Sequence, residues 1–123
     1  MSGPRAPIAI LAAVLLAPLA GCGQTEVIRR TRTLLVALTE YRLAPQSVQI
    51  GPGPVTILAH NYGRLTHNLV VSRSGQALAA TPPMSPGQTD ELTLTVAPGS
   101  YLMASTVQAD QTLGEYGTLR VSS

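Results

Sequence analysis

From residue 33 onward the chain never keeps helical periodicity for three turns; it runs as short alternating apolar stretches cut by Gly and Pro. Leu34, Val36 and Leu38 alternate with Thr33, Leu35, Ala37 and Thr39, and Val48-Gln49-Ile50 runs into Gly51-Pro52-Gly53-Pro54. Val55, Ile57 and Ala59 alternate up to Asn61-Tyr62-Gly63, and residues 67–71 form a run that ends at residues 72–75. Leu92, Leu94 and Val96 alternate with Glu91, Thr93 and Thr95 before Pro98-Gly99; residues 101–106 and 118–121 complete the set. A period of two puts one side of each run on a core and the other in solvent. Runs of this kind bounded by turn residues predict an all-β, two-sheet Greek-key sandwich. Its inward residues should include Val36, Leu38, Ile50, Val55, Ile57, Leu69, Val71, Leu92, Leu94, Val96, Tyr101 and Val121. Residues 76–84, Ala-rich and containing Pro82-Pro83, are expected to hold one short helical turn ended by the prolines.

What holds such a sandwich together is narrowed by composition. Trp and Phe are absent, so Leu, Val, Ile and four Tyr must fill the core. The one cysteine is Cys22, so no disulfide can form within the domain. Its setting is specific. Residues 8–20 carry no charge and follow Arg5; a bilayer-crossing helix needs about 20 apolar residues, so this run has the length of a signal-peptide core. Leu19-Ala20-Gly21-Cys22 then resembles the lipobox of bacterial lipoproteins. The resemblance implies a signal peptide at 1–21, lipid on Cys22, and an exported protein anchored to a bacterial membrane, facing periplasm or cell exterior. Gly23 after the Cys gives no signal for retention at an inner membrane. Residues 22–32 are expected to be a lipidated tether and 33–123 the domain.

Without Arg5, seven Arg face six acids, and there is no Lys. The Arg are scattered except for Arg29, Arg30 and Arg32, so no basic face for nucleic acid exists. That trio is either a solvated edge strand or a contact for anionic headgroups.

Residues 38–45 (Leu-Thr-Glu-Tyr-Arg-Leu-Ala-Pro) and Val48-Gln49-Ile50 resemble the first two strands of small cupredoxins of the plastocyanin and azurin type. Asn61-Tyr62-Gly63 followed by His67-Asn68-Leu69-Val70-Val71 resembles their stretch bearing the first copper ligand. Pro86-Gly87-Gln88-Thr89 and Pro98-Gly99-Ser100-Tyr101 resemble the run into the ligand hairpin, and residues 114–121 (Gly-Glu-Tyr-Gly-Thr-Leu-Arg-Val) the last strand. The likeness spans about residues 33–121. It implies a cupredoxin-like fold, and it places the four copper-ligand positions, His, Cys, His and Met, at His67, Ser105, Asp110 and Glu115. It also implies that Asn61 ties the loop before His67 to the 105–115 loop.

Three of those four positions no longer carry the family's ligand. A blue copper centre needs a thiolate, and the chain has no Cys other than Cys22 and no His after His67. Blue-copper electron transfer is therefore excluded, and no cofactor is expected apart from the covalently attached lipid on Cys22; the alternative is a divalent metal ion. His67 is read as a pole histidine hydrogen-bonded to its neighbours, and His60, of opposite parity to Ala59 and Asn61, as a surface residue. Asp110 and Glu115 are read as solvated loop carboxylates; alternatively, with His67 and Ser105, they form a hard-ligand set for zinc, manganese or ferric iron. Met84 and Met103 are read as core filler rather than Cu(I) ligands. No nucleophile–base pair or phosphate loop stands out, so the expected function is not enzymatic. It is a membrane-anchored binding or scaffold module for an unidentified extracytoplasmic protein partner; the alternative is a copper-, zinc- or iron-handling lipoprotein that uses His67 with Asp110 and Glu115.

Overall fold

The computed structural model describes residues 25–123. The expected signal peptide and the lipid attachment at Cys22 lie outside the described residues. The alternating runs become strands: β1 Thr25–Ile28, β2 Thr33–Thr39, β3 Arg42–Ala44, β4 Ser47–Ile50, β5 Gly53–Asn61, β6 Val70–Arg73, β7 Gln76–Ala80, β8 Thr89–Val96, β9 Gly99–Ala104 and β10 Tyr116–Val121. They pair into a six-stranded sheet, β1-β4-β10-β9-β6-β7, and a four-stranded sheet, β3-β2-β5-β8. β1 with β4, β4 with β10, and β2 with β5 are parallel; the remaining pairs are antiparallel. Among the described residues no helix is long and apolar enough to cross a membrane.

The two sheets face each other over one apolar core. Of the twelve residues expected inside, eleven are buried and Leu94 is half-buried at the margin. Met84 and Met103 are fully buried there, where an unbranched thioether fills irregular space. At one end Tyr101 locks the β8–β9 turn: its hydroxyl accepts the Ala97 N–H (2.8 Å) and donates to the Ala97 carbonyl (2.9 Å). Arg73 donates to the same hydroxyl and lies over the ring, 5.0 Å from its centroid. The opposite end carries the polar residues described below.

Two expectations change. The helical turn in residues 76–84 is instead strand β7, the edge of the larger sheet. Ser74 and Gly75 both take positive φ, 51° and 81°, and join Arg73 to Gln76 by a two-residue turn. That turn geometry folds the chain back on itself as a hairpin and overrides the helix preference of the alanines. The tether, too, is shorter than expected. Residues 25–28 pair with β4 as β1, and Thr25 Oγ1 meets Ser47 Oγ at 3.0 Å. An exposed β4 edge supplies unpaired backbone groups that the polar segment satisfies. Within the Arg trio, Arg32 is committed to the fold, donating to the Pro54 (2.7 Å) and Gly51 (3.0 Å) carbonyls; Arg29 and Arg30 remain exposed.

Candidate functional site

His67 is wholly buried at the polar end, just before β6. Its backbone is fixed first: the His67 N–H donates to the Met84 carbonyl and the Met84 N–H to the His67 carbonyl (3.2 and 2.7 Å). Both ring nitrogens then face carboxylates. Nε2 lies 2.8 Å from Glu40 Oε2; Nδ1 lies 2.8 Å from Asp110 Oδ2 and 3.0 Å from Glu115 Oε1. Asp110 is 5% exposed and Glu115 0%. The reading of these two as solvated loop carboxylates is thus corrected: turns within residues 107–115 fold them inward against the imidazole.

The electrostatics of the cluster follow from burial and pairing. Burial alone would lower the His67 pKa, but hydrogen bonds to Glu40 and Asp110 and the Glu115 charge outweigh it, and the net shift is upward. Glu40 is held down at about 2, first by the His67 hydrogen bond and then by the Leu65 N–H. Glu115 is pushed up to about 7 by burial, against the pull of the His67 charge. No well-formed hydrogen bond reaches either Glu115 oxygen among the described residues, although Oε1 stands 3.0 Å from His67 Nδ1 and the Tyr41 backbone pulls its pKa down.

Ser105 holds the position that the resemblance gives to cysteine. It is fully buried, and its hydroxyl stands 2.7 Å from Asp110 Oδ2 and 3.2 Å from Asn68 Oδ1, while accepting the Asn68 N–H. The link between the two loops falls to Asn68 rather than Asn61. Asn68 Oδ1 accepts the Thr106 N–H (2.7 Å) and Nδ2 donates to Thr106 Oγ1 (3.0 Å). Asn61 is also buried, but it ties its own loop to the segment around Met84: Nδ2 donates to the Leu65 and Met84 carbonyls and Oδ1 accepts the Gly63 N–H. His60 is half-buried on the outer face, hydrogen-bonded to Thr89 and stacked 4.2 Å from Tyr62.

Glu40 is the functional-site residue that sequence reasoning missed. It lies in the tight turn between β2 and β3, where Tyr41 takes φ 67°. Its carboxylate accepts the Arg64 and Leu65 N–H groups (2.9 Å each) as well as facing His67. Gly63 makes room for it: a Cβ there would strike Glu40 Oε2 and come within 3.0 Å of His67 Nε2.

The donors at this pole are one imidazole nitrogen, carboxylates and a hydroxyl. The blue copper ion that the resemblance implies does not fit them, since no thiolate is within the set and Cu(I) favours soft sulfur ligands.

No protein-family model and no curated protein sequence matches the chain. Solved structures do. Reduced auracyanin from Roseiflexus castenholzii superposes with TM-score 0.71 at 21% identity, covering 76% of this chain and 98% of that one. An azurin from Methylomonas sp. strain J gives TM-score 0.66 at 12% identity, over 74% and 98%. Auracyanin A from Chloroflexus aurantiacus, a blue copper protein, gives 0.64 at 21%, over 73% and 98%. The mixed parallel and antiparallel sheets, the bonds from His67 and Asn68 to the 105–115 loop, and these superpositions agree: the described chain has the cupredoxin fold.

Proposed function

We propose that the protein is an exported, lipid-anchored module that uses the cupredoxin fold for binding at a bacterial membrane surface and not for electron transfer. The observation that carries this reading is Ser105. Its buried side chain is a hydroxyl, hydrogen-bonded to Asp110 and Asn68, where copper electron transfer requires a thiolate. The anchoring half rests on Leu19-Ala20-Gly21-Cys22 and on the uncharged run before it. At this pole His67, Asp110, Glu115 and Ser105 are buried together, which favours a binding role. The natural partner is another extracytoplasmic protein.

Two measurements test it. Cu(II) added to the purified full chain gives no intense visible thiolate-to-copper band; an intense band overturns the reading. Radiolabelled palmitate marks the wild type and not Cys22→Ala; equal labelling removes the anchor.

A further inference from the structure

We propose that His67 Nδ1, Asp110 and Glu115 form a binding site for one divalent cation of the zinc class, with Ser105 Oγ as fourth donor and Glu40 fixing the imidazole from behind. The inference deepens the binding-module reading and rests on it, since it requires that thiolate chemistry has left this pole.

Convergence is the first support. The three residues come from the loop before β6, from the turns of residues 107–115 and from the residue preceding β10, yet their ligand atoms lie within 4.8 Å of one another and all three are buried. Convergence of acids alone would say little. Glu115 adds an independent sign: its carboxylate is fully buried, its Oε1 is aimed at His67 Nδ1 at 3.0 Å, and neither oxygen has a well-formed hydrogen bond among the described residues. Native interiors rarely tolerate such a group without a reason, and a cation between it and Asp110 supplies one.

Glu40 provides the second shell. Metal-bound histidines commonly give their remote ring N–H to a carboxylate, which fixes the tautomer and strengthens the donor. Here Nε2 faces Glu40 Oε2 at 2.8 Å, a pairing that leaves the Nδ1 lone pair for the ion. The donor set, one nitrogen and oxygens without sulfur, matches zinc rather than Cu(I). Tetrahedral ligands about 2.0–2.2 Å from zinc stand roughly 3.3–3.5 Å apart. The present 2.8 and 3.0 Å separations must therefore open by a few tenths of an ångström. Asp110 sits on turns rather than in a sheet ladder, so it can move that far. A depression of about 240 Å³ flanked by Tyr41, Leu65, Val107 and Leu113 has Asp110, alone of the four donors, in its wall.

Calorimetry on the chelator-stripped full chain in detergent, titrated with zinc chloride, tests the site. One zinc binds per chain with Kd below about 1 μM. Glu115→Gln and Asp110→Asn each weaken it at least tenfold, Glu40→Gln weakens it about tenfold, and His60→Ala leaves it unchanged. Each variant's cooperative melt confirms that it is folded. X-ray absorption at the zinc edge shows only nitrogen and oxygen neighbours near 2.0–2.2 Å; a sulfur neighbour near 2.3 Å places the ion on Cys22 and overturns the proposal. So does equal affinity in wild type and Glu115→Gln. A flat zinc titration overturns the cation site and leaves the redox-silent module standing, whereas an intense visible copper band overturns both.

Discussion

Glu40 and His67, 27 residues apart in sequence, meet at 2.8 Å, so the turn between β2 and β3 grips the imidazole from the side opposite Asp110. Gly63 leaves the space for that grip. Gly63→Ala is expected to push the Glu40 carboxylate off the ring, because its Cβ falls on Oε2. A carboxyl NMR titration checks this: the Glu40 pKa rises from about 2 toward its usual 4.5, while an unchanged value refutes the expectation.

The metal-free cluster sets the pH dependence of stability. Glu40, lowered to about 2, contributes stability above pH 4.5 that is lost as pH falls toward 2. Glu115, raised from 4.5 to about 7, works in the opposite sense. Its protonated form belongs to the fold, so that contribution is complete below pH 4.5 and lost as pH rises through 7, with a span on the order of 3 kcal/mol. His67, also raised, loses its contribution as pH climbs through its elevated pKa. Thermal melts in chelator should peak near pH 5 and fall on both sides. In Glu115→Gln the loss between pH 5 and 7 should shrink markedly.

Asn68→Ala removes the bridge to residues 105–106 and strands the Thr106 N–H, at about 2–3 kcal/mol. Hydrogen exchange tells it apart from Asn61→Ala. The first variant deprotects the Thr106 amide and the second the Gly63 amide, as their separate partners require.

Ser105→Cys returns a thiol to the position that the resemblance gives to the family's cysteine. With Cu(II) this variant should develop an intense visible thiolate band that the wild type lacks. Asp110 and Glu115 still replace a histidine and a methionine, so the band should differ in energy from that of a blue copper centre. A colourless variant that melts normally would show that residue 105 does not face the ion.

Leu119, on the inward face of β10, is fully buried in the core. Leu119→Ala should cost about 2–5 kcal/mol in denaturant unfolding, and a cost under 1 kcal/mol would place the core elsewhere.

Most strands were legible because period-two alternation records directly which side chains meet the opposite sheet. β7 was not, since four of its five residues are exposed and leave no alternation; the neighbouring Ser74-Gly75 turn held the signal. β1 was hidden for a similar reason: a four-residue, mostly exposed edge segment is defined by the strand it joins. Ser105, Asp110 and Glu115 were found as positions through the family likeness, yet their burial was not, because the imidazole that draws the acids inward lies about 40 residues away. Glu40 carried no motif. Only its place in a tight turn, among few acids, could have raised it. The two asparagines were exchanged because both flank the same loop; Asn68, directly after His67, extends toward residues 105–106, and Asn61 turns beneath its own loop.

Strand β1 has one consequence in the dimension normal to a membrane. Thr25 is in register with Ser47, and Ser47 with Thr118, so β1 begins near the end of the sandwich that holds His67, two residues in from Tyr116. Three residue steps separate Cys22 from Thr25, and even a fully extended chain spans only about 10 Å over that length. Under the proposed anchor, a lipid on Cys22 would keep the end of the sandwich that holds the buried cluster close to the bilayer surface, where anionic lipids concentrate cations.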